Sequence, residues 1–251
     1  VFLLLNTIHL CPQCLKQIKV SGLITELLVT FEVKFIHIFF NIMRIFPQQI
    51  AHPWHGISAG SKAPAQVSVY IEIVPNDTVK YELDKESGLL KVDRPQKYSN
   101  VCPTPYGFIP RTYCGDTVAD FCMKQASRQA MKGDGDPLDI CILTEKIFPH
   151  GNILLQAIPI GGLRMIDDNE ADDKIIAVLK DDISYGKFND ITDVPPRLIE
   201  RLKHYFLTYK LKPTDIENSN RQVEITHVYS REEANKVIEA SLFDYQQLLE
   251  M

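Results

Sequence analysis

The stretch QVSVYIEIV, residues 66–74, sets the grammar of the chain. Val67, Val69, Ile71 and Ile73 alternate with Ser68, Tyr70 and Glu72, the two-residue period of a strand with two unlike faces. The same grammar continues outward in VKYELD (79–84), GLLKVD (88–93), DICILT (139–144), NILLQAIPIGGLRMI (152–166) and KIIAVL (174–179). DKESG (84–88) carries the residues of a turn between two of these strands. Many short strands punctuated by turns point to a barrel or a sandwich.

The far end of the sequence reads as helix. DVPPRLIERLKHYFLTYK offers Asp193 as a cap and prolines in the first turn, and Leu198, Leu202, Tyr205 and Tyr209 recur at helical spacing. SREEANKVIEASLFDYQQLLE opens with Ser230 and, three residues on, Glu233, a capping box. Residues 117–132 read as a short amphipathic helix.

At 251 residues, 45% hydrophobic and 24% charged, the chain has the composition of one globular domain with a sizeable core. A formal charge of -5 argues against a nucleic-acid binder that works by neutralising phosphates. Six cysteines in no dense framework fit a reducing compartment, and the pair Cys11 and Cys14 lacks the second pair that a zinc site needs.

Residues 1–42 differ from the rest, being apolar and aromatic without clear periodicity. Lys16, Lys19, Glu26, Glu32 and Lys34 interrupt them, so no run approaches the roughly 20 apolar residues of a membrane helix. Met43 opens a stretch that reads like a natural start. The expectation is a non-native or targeting extension over 1–42 and a single domain over 43–251.

KGDGDPLDICIL, residues 132–143, places Asp134, Asp136 and Asp139 within six positions ahead of an apolar strand. Gly135 permits close approach and Pro137 stiffens the chain. Such oxygens suit magnesium or manganese, and a solvated acidic turn is the plainer alternative. A calcium EF-hand loop is excluded, because its sixth position would be Asp139 where glycine is needed. A haloacid dehalogenase phosphatase matches only the first three letters of DGDPL. Residues 167–173, DDNEADD, hold five more carboxylates between two strands. Either a solubilising hairpin tip or a second wall of one polymetal site accounts for them.

The order of these segments resembles family I soluble inorganic pyrophosphatases. DGDPLD (134–139) matches that family's signature of spaced aspartates, and YIEI (70–73), VKYELDKESGLLKVDR (79–94), YGFIP (106–110), GGLRMIDDNEADDK (161–174) and HYFLTYK (204–210) match in register. The resemblance covers roughly 67–210, with weaker similarity beyond, and implies an α+β, mainly β fold: a five-stranded, OB-like closed barrel flanked by helices. It implies magnesium-dependent hydrolysis of pyrophosphate to two phosphates, with several Mg2+ per site and Mn2+ or Zn2+ as substitutes.

By position, Asp134, Asp139 and Asp172 resemble the ligands of one metal, and Asp139 the bridge to a second. Asp167 and Asp172 resemble ligands of a substrate-borne metal. Asp136 resembles the acceptor of the attacking water's proton, with Tyr106 beside it among the reacting groups. Glu72 and Glu82 resemble further metal contacts, Glu82 bordering the substrate. Lys80, Arg94, Tyr106, Lys174, Tyr209 and Lys210 resemble the phosphate-binding set. The resemblance also implies a cytoplasmic homo-oligomer with no nucleic-acid or membrane partner, or an organellar one should 1–42 prove a targeting segment. Cys102 departs from a tyrosine common in the family, Thr104 and Pro105 from a His-Asn or similar pair, and 112–132 is longer than usual. An oligonucleotide-binding OB module is the competing class, but it wants aromatic platforms in a basic groove rather than acidic loops.

Overall fold

A computed structural model describes residues 51–97, 99–210 and 223–250. Residues 1–42, expected to stand apart, lie outside them. In chain order the strands are β1 (Val67–Ile73), β2 (Val79–Leu83), β3 (Leu90–Pro95), β4 (Tyr106–Phe108), β5 (Lys132–Gly133), β6 (Asp139–Leu143), β7 (Ile153–Asp167), β8 (Glu170–Ala171), β9 (Lys174–Leu179) and β10 (Val223–Ser230). The helices are α1 (Asp116–Ala126), α2 (Pro196–Thr208) and α3 (Arg231–Glu250). Among the described residues no helix is long and apolar enough to cross a membrane.

Five strands close a ring in the order β1-β4-β6-β9-β7, and β7 returns to pair with β1. This is the closed five-stranded barrel expected, in an α+β chain that is mainly β. The long β7 makes closure possible: residues from 153 pair with β1, its middle pairs with β9, and its last part pairs with β10 and β8. β6 and β9 run parallel, which sets Asp139 directly beside Lys174 at the start of both strands. β2 and β3 form a separate hairpin, with Lys80 opposite Arg94.

Alternation decides the packing. Ile140 and Ile142 of β6 and Ile175 and Ala177 of β9 pack with Val118 and Cys122 of α1 and Val237 and Ile238 of α3. Cys141, Leu143, Ile176 and Val178 face the other way and pack with Leu202, Tyr205 and Phe206 of α2. Every residue of β1 is buried, including the positions that read as polar. At Tyr70 the reason is a third cluster in which Trp54, Leu83, Phe108 and Tyr245 pack with it.

The helix ends differ from their local sequence signals. Asp193 does not start α2; it completes a capping box around the short 3-10 turn Ile191–Asp193, and α2 begins behind Pro195. The Glu233 carboxylate, read as a partner of Ser230, is engaged by Arg164 at 2.8 Å. The helix expected over 117–132 stops at Ala126, because Ser127 turns left-handed at φ 51. Its first turn is capped from far along the chain: the buried carboxylate of Asp244 accepts the N–H groups of Gly115, Thr117 and Val118 at 3.0, 3.1 and 3.0 Å.

Arg164 of β7 is wholly buried. It pairs with Asp173 at 3.3 Å and lies between the rings of Phe121 and Tyr229. Asp173 faces this inner pocket, and its neighbours Asp172 and Lys174 face outward to the cleft described below.

Two stability outcomes follow. A Cβ on Gly107 would strike the carbonyl of Tyr70, so Gly107→Ala lowers unfolding stability by about 2–3 kcal/mol in urea titrations. Asp244→Ala, which strips the α1 cap, costs about 1–2 kcal/mol in the same measurement.

Candidate active site

Strand ends from the ring converge on one cleft of about 170 Å³. Because β6 and β9 are parallel, their starting ends deliver Asp139 and Lys174 to the same rim. The antiparallel β7 brings Asp167 there with its far end, and the short β8 and the link after it bring Glu170 and Asp172. Gly135, at φ +74, bends the 134–137 loop so that Asp134 and Asp136 also face the cleft. The two acidic segments therefore share one space.

Of the residues singled out in the sequence, Glu72, Lys80, Glu82, Tyr106, Asp134, Asp136, Asp139, Asp167, Asp172, Lys174, Tyr209 and Lys210 all line this cleft. Arg94 does not. Its guanidinium pairs with Asp93 at 3.0 Å and lies 6.0 Å from the Tyr209 ring. The sequence reading missed Trp54, Lys85 and Glu170, which also line the cleft. Glu170 was visible as part of the acidic run; a lysine in a turn and a distant tryptophan carry no local signal. Cys102 is buried in the core beneath α2, with its thiol donating to the Thr104 carbonyl at 3.2 Å.

Crowding sets the electrostatics. Burial, and then the neighbouring Asp172, push the Asp134 carboxyl up to about 9, against the pull of Lys174. Burial also pushes Glu72 up to about 8, although its Oε1 accepts the Leu83 N–H at 2.6 Å. Asp172 is raised by burial too. Burial works against the charge on Lys174, but Asp139 and Asp172 outweigh it and hold the ammonium well above the ordinary lysine value. Lys174 contacts both of those carboxylates. Lys210 donates to Asp167 at 2.6 Å, and Lys80 sits between Glu82 and Asp93 at 3.1 and 3.0 Å.

Whether this set fits divalent cations is decided by its chemistry. Its acidic members are all hard oxygen donors, and burial leaves several of them short of positive charge. Among the described residues no three acids, histidines or cysteines are already drawn into a metal-holding cluster. The donor set fits magnesium-like ions, and Tyr106, buried and pushed well up by burial and then by Asp139, stays a neutral hydroxyl beside it.

Comparison with known proteins agrees. The family described as inorganic pyrophosphatase matches residues 69–246. The inorganic pyrophosphatase of Chlamydia muridarum is 54% identical over 200 residues, covering 79% of this chain and 96% of that protein. Soluble inorganic pyrophosphatase 2 of Chlamydomonas reinhardtii is 39% identical over 206 residues, covering 82% and 94%. The crystal structure of the Thermus thermophilus inorganic pyrophosphatase superposes with a TM-score of 0.64 at 28% identity, over 78% of this chain and 99% of that one. A barrel whose strand ends gather acids and lysines into one cleft, in a chain that matches this family over most of its length, leads to one assignment: this is an enzyme of the inorganic pyrophosphatase family.

Proposed function

We propose that the chain hydrolyses inorganic pyrophosphate to two orthophosphates with magnesium, by direct in-line attack of water and without a covalent intermediate. The observation that carries this reading is the single cleft in which the acids of 134–139 and 167–172 meet Lys80, Lys174 and Lys210. A dianionic or more highly charged phosphate has no reason to enter a carboxylate pocket unless cations come with it.

Asp134, Asp139 and Asp172 would hold one ion, Asp139 a second as well, and Asp167 with Asp172 one that arrives with the substrate, while Glu72 and Glu82 add carboxylate nearby. Such ions, when bound, supply positive charge against the carboxylates and make water a stronger acid. Asp136 accepts the proton of the attacking water. It is half-exposed on a loop whose backbone is fixed, since its N–H donates to Asp134 Oδ1 at 3.0 Å and its carbonyl accepts from Cys114 at 2.8 Å. Lys80, Lys174 and Lys210 grip phosphate oxygens from within the cleft, and Arg94, now paired with Asp93 beside it, would have to swing in to add the fork that binds two oxygens at once. Tyr106 and Tyr209 donate hydroxyls, which orient an oxygen. The work is placement and charge stabilisation more than covalent chemistry.

The same reading takes 43–251 as one pyrophosphatase domain and Mn2+ or Zn2+ as substitute metals. It also takes the setting as a reducing cytoplasm, which the four free, buried cysteines among the described residues fit, and the state as a homo-oligomer by family resemblance.

Phosphate release from pyrophosphate with and without magnesium, run beside ATP and a phosphomonoester, tests the activity and its range. Magnesium-dependent release from pyrophosphate is the expected result. Asp139→Asn is expected to weaken magnesium activation and lower kcat together, by about 100-fold in rate. Unchanged magnesium dependence with full turnover would remove Asp139 from the metal site. Asp136→Asn is expected to lower kcat by about 100-fold or more with little effect on metal affinity, and to alter the acid limb of the pH–rate profile. An unaltered profile would rule Asp136 out as proton acceptor.

A further inference from the structure

The turn of the β2–β3 hairpin reaches across to the acidic loop. Asp84 builds that turn, with its carboxylate accepting from the Ser87 N–H at 3.0 Å and the Ser87 hydroxyl at 2.7 Å. Gly88, at φ +71, closes it with an N–H to the Asp84 carbonyl at 2.8 Å. The turn is docked on residues 52–54. The His52 ring lies so close to Gly88 that a Cβ there would meet it, and His52 Nε2 stands 3.2 Å from the Lys85 carbonyl.

The Lys85 side chain then spans the gap. Its ammonium pairs with the Asp136 carboxylate, donates to the Gly135 carbonyl at 3.2 Å and lies 5.9 Å from the Trp54 ring centre. Trp54 is a firm base: its indole N–H donates to the Thr112 carbonyl at 2.7 Å, and it is buried against Tyr113 and Tyr245.

The backbone of Asp136 is fixed by the bonds already described, and among the described residues Lys85 is the ion-pair partner of its carboxylate. Both side chains are about half exposed, and ion pairs so exposed contribute little to stability. Orientation is a different matter. A carboxylate beside a left-handed glycine has several staggered positions, and a base serves only while it faces the water it deprotonates.

We propose that Lys85 is a positioning residue: it holds the Asp136 carboxylate in the cleft and couples the hairpin that carries Lys80 and Arg94 to the loop that receives the proton. This rests on the reading of Asp136 as proton acceptor.

Lys85→Met is expected to lower kcat about tenfold while KM for pyrophosphate, half-saturating magnesium and Tm stay near parental values. Lys85→Arg keeps the charge and restores most of the rate. On an Asp136→Asn background Lys85→Met costs nothing further, because the two groups act as one. Trp54 is the sole tryptophan, so its emission in the metal-free protein reads the same contact without turnover. Lys85→Met shifts that emission and Lys85→Arg leaves it in place. Parental kcat in folded Lys85→Met, unchanged Trp54 emission, or a full further loss on the Asp136→Asn background overturns the proposal. A raised KM with unchanged kcat overturns it in favour of a substrate contact. Parental kcat in Asp136→Asn alone overturns the role of Asp136 instead, a result obtained without altering Lys85.

Discussion

The parallel pairing of β6 with β9 puts a lysine against an aspartate at the mouth of the barrel, and the cleft is organised around that contact. Lys174 lies between Asp139 and Asp172, buried, and each of the three is tolerable only because of the others. Removing the ammonium would leave crowded carboxylates in a low-dielectric pocket; removing the acids would leave a buried cation. The arrangement is therefore a charge balance among three neighbours, set by the register of two parallel strands.

That balance is held from behind by a second one. Asp173, between Asp172 and Lys174, turns inward to Arg164, and Arg164 is sandwiched between aromatic rings and tied to Glu233 of α3. The short link from β8 into β9 thus sends successive residues into two separate electrostatic environments. One faces the cleft and is open to change; the other is sealed in the core and fixes the backbone from which the first is hung.

The ring strands were legible because each carries an apolar period of two, and the acids were legible because like charges so closely spaced demand a cation or open water. What was illegible acts across the chain. β1 is buried on both faces, which no alternation could announce, because Trp54 and Tyr245 arrive from opposite ends of the described sequence to cover Tyr70. The cap of α1 is Asp244, on the last helix, while Asp193 and Glu233, with the right spacing to cap, are engaged elsewhere. Twelve of the thirteen proposed site residues line the cleft, and Arg94 stands aside on Asp93 and Tyr209. Lys85 escaped notice because DKESG reads as turn chemistry, and only the folded hairpin shows where its ammonium lands.

The long-range cap has a consequence for how the protein is made. Asp244 and Ser241 grip the 113–118 segment, and the same segment supports the loop of Asp134 and Asp136 through Cys114. A nascent chain leaving the ribosome has its barrel strands in hand long before α3 emerges, yet the acidic loop lacks its support until that final helix docks. The walls of the cleft are thereby finished later than the ring that frames them, because their support comes from a helix more than a hundred residues further along the chain than the segment it grips.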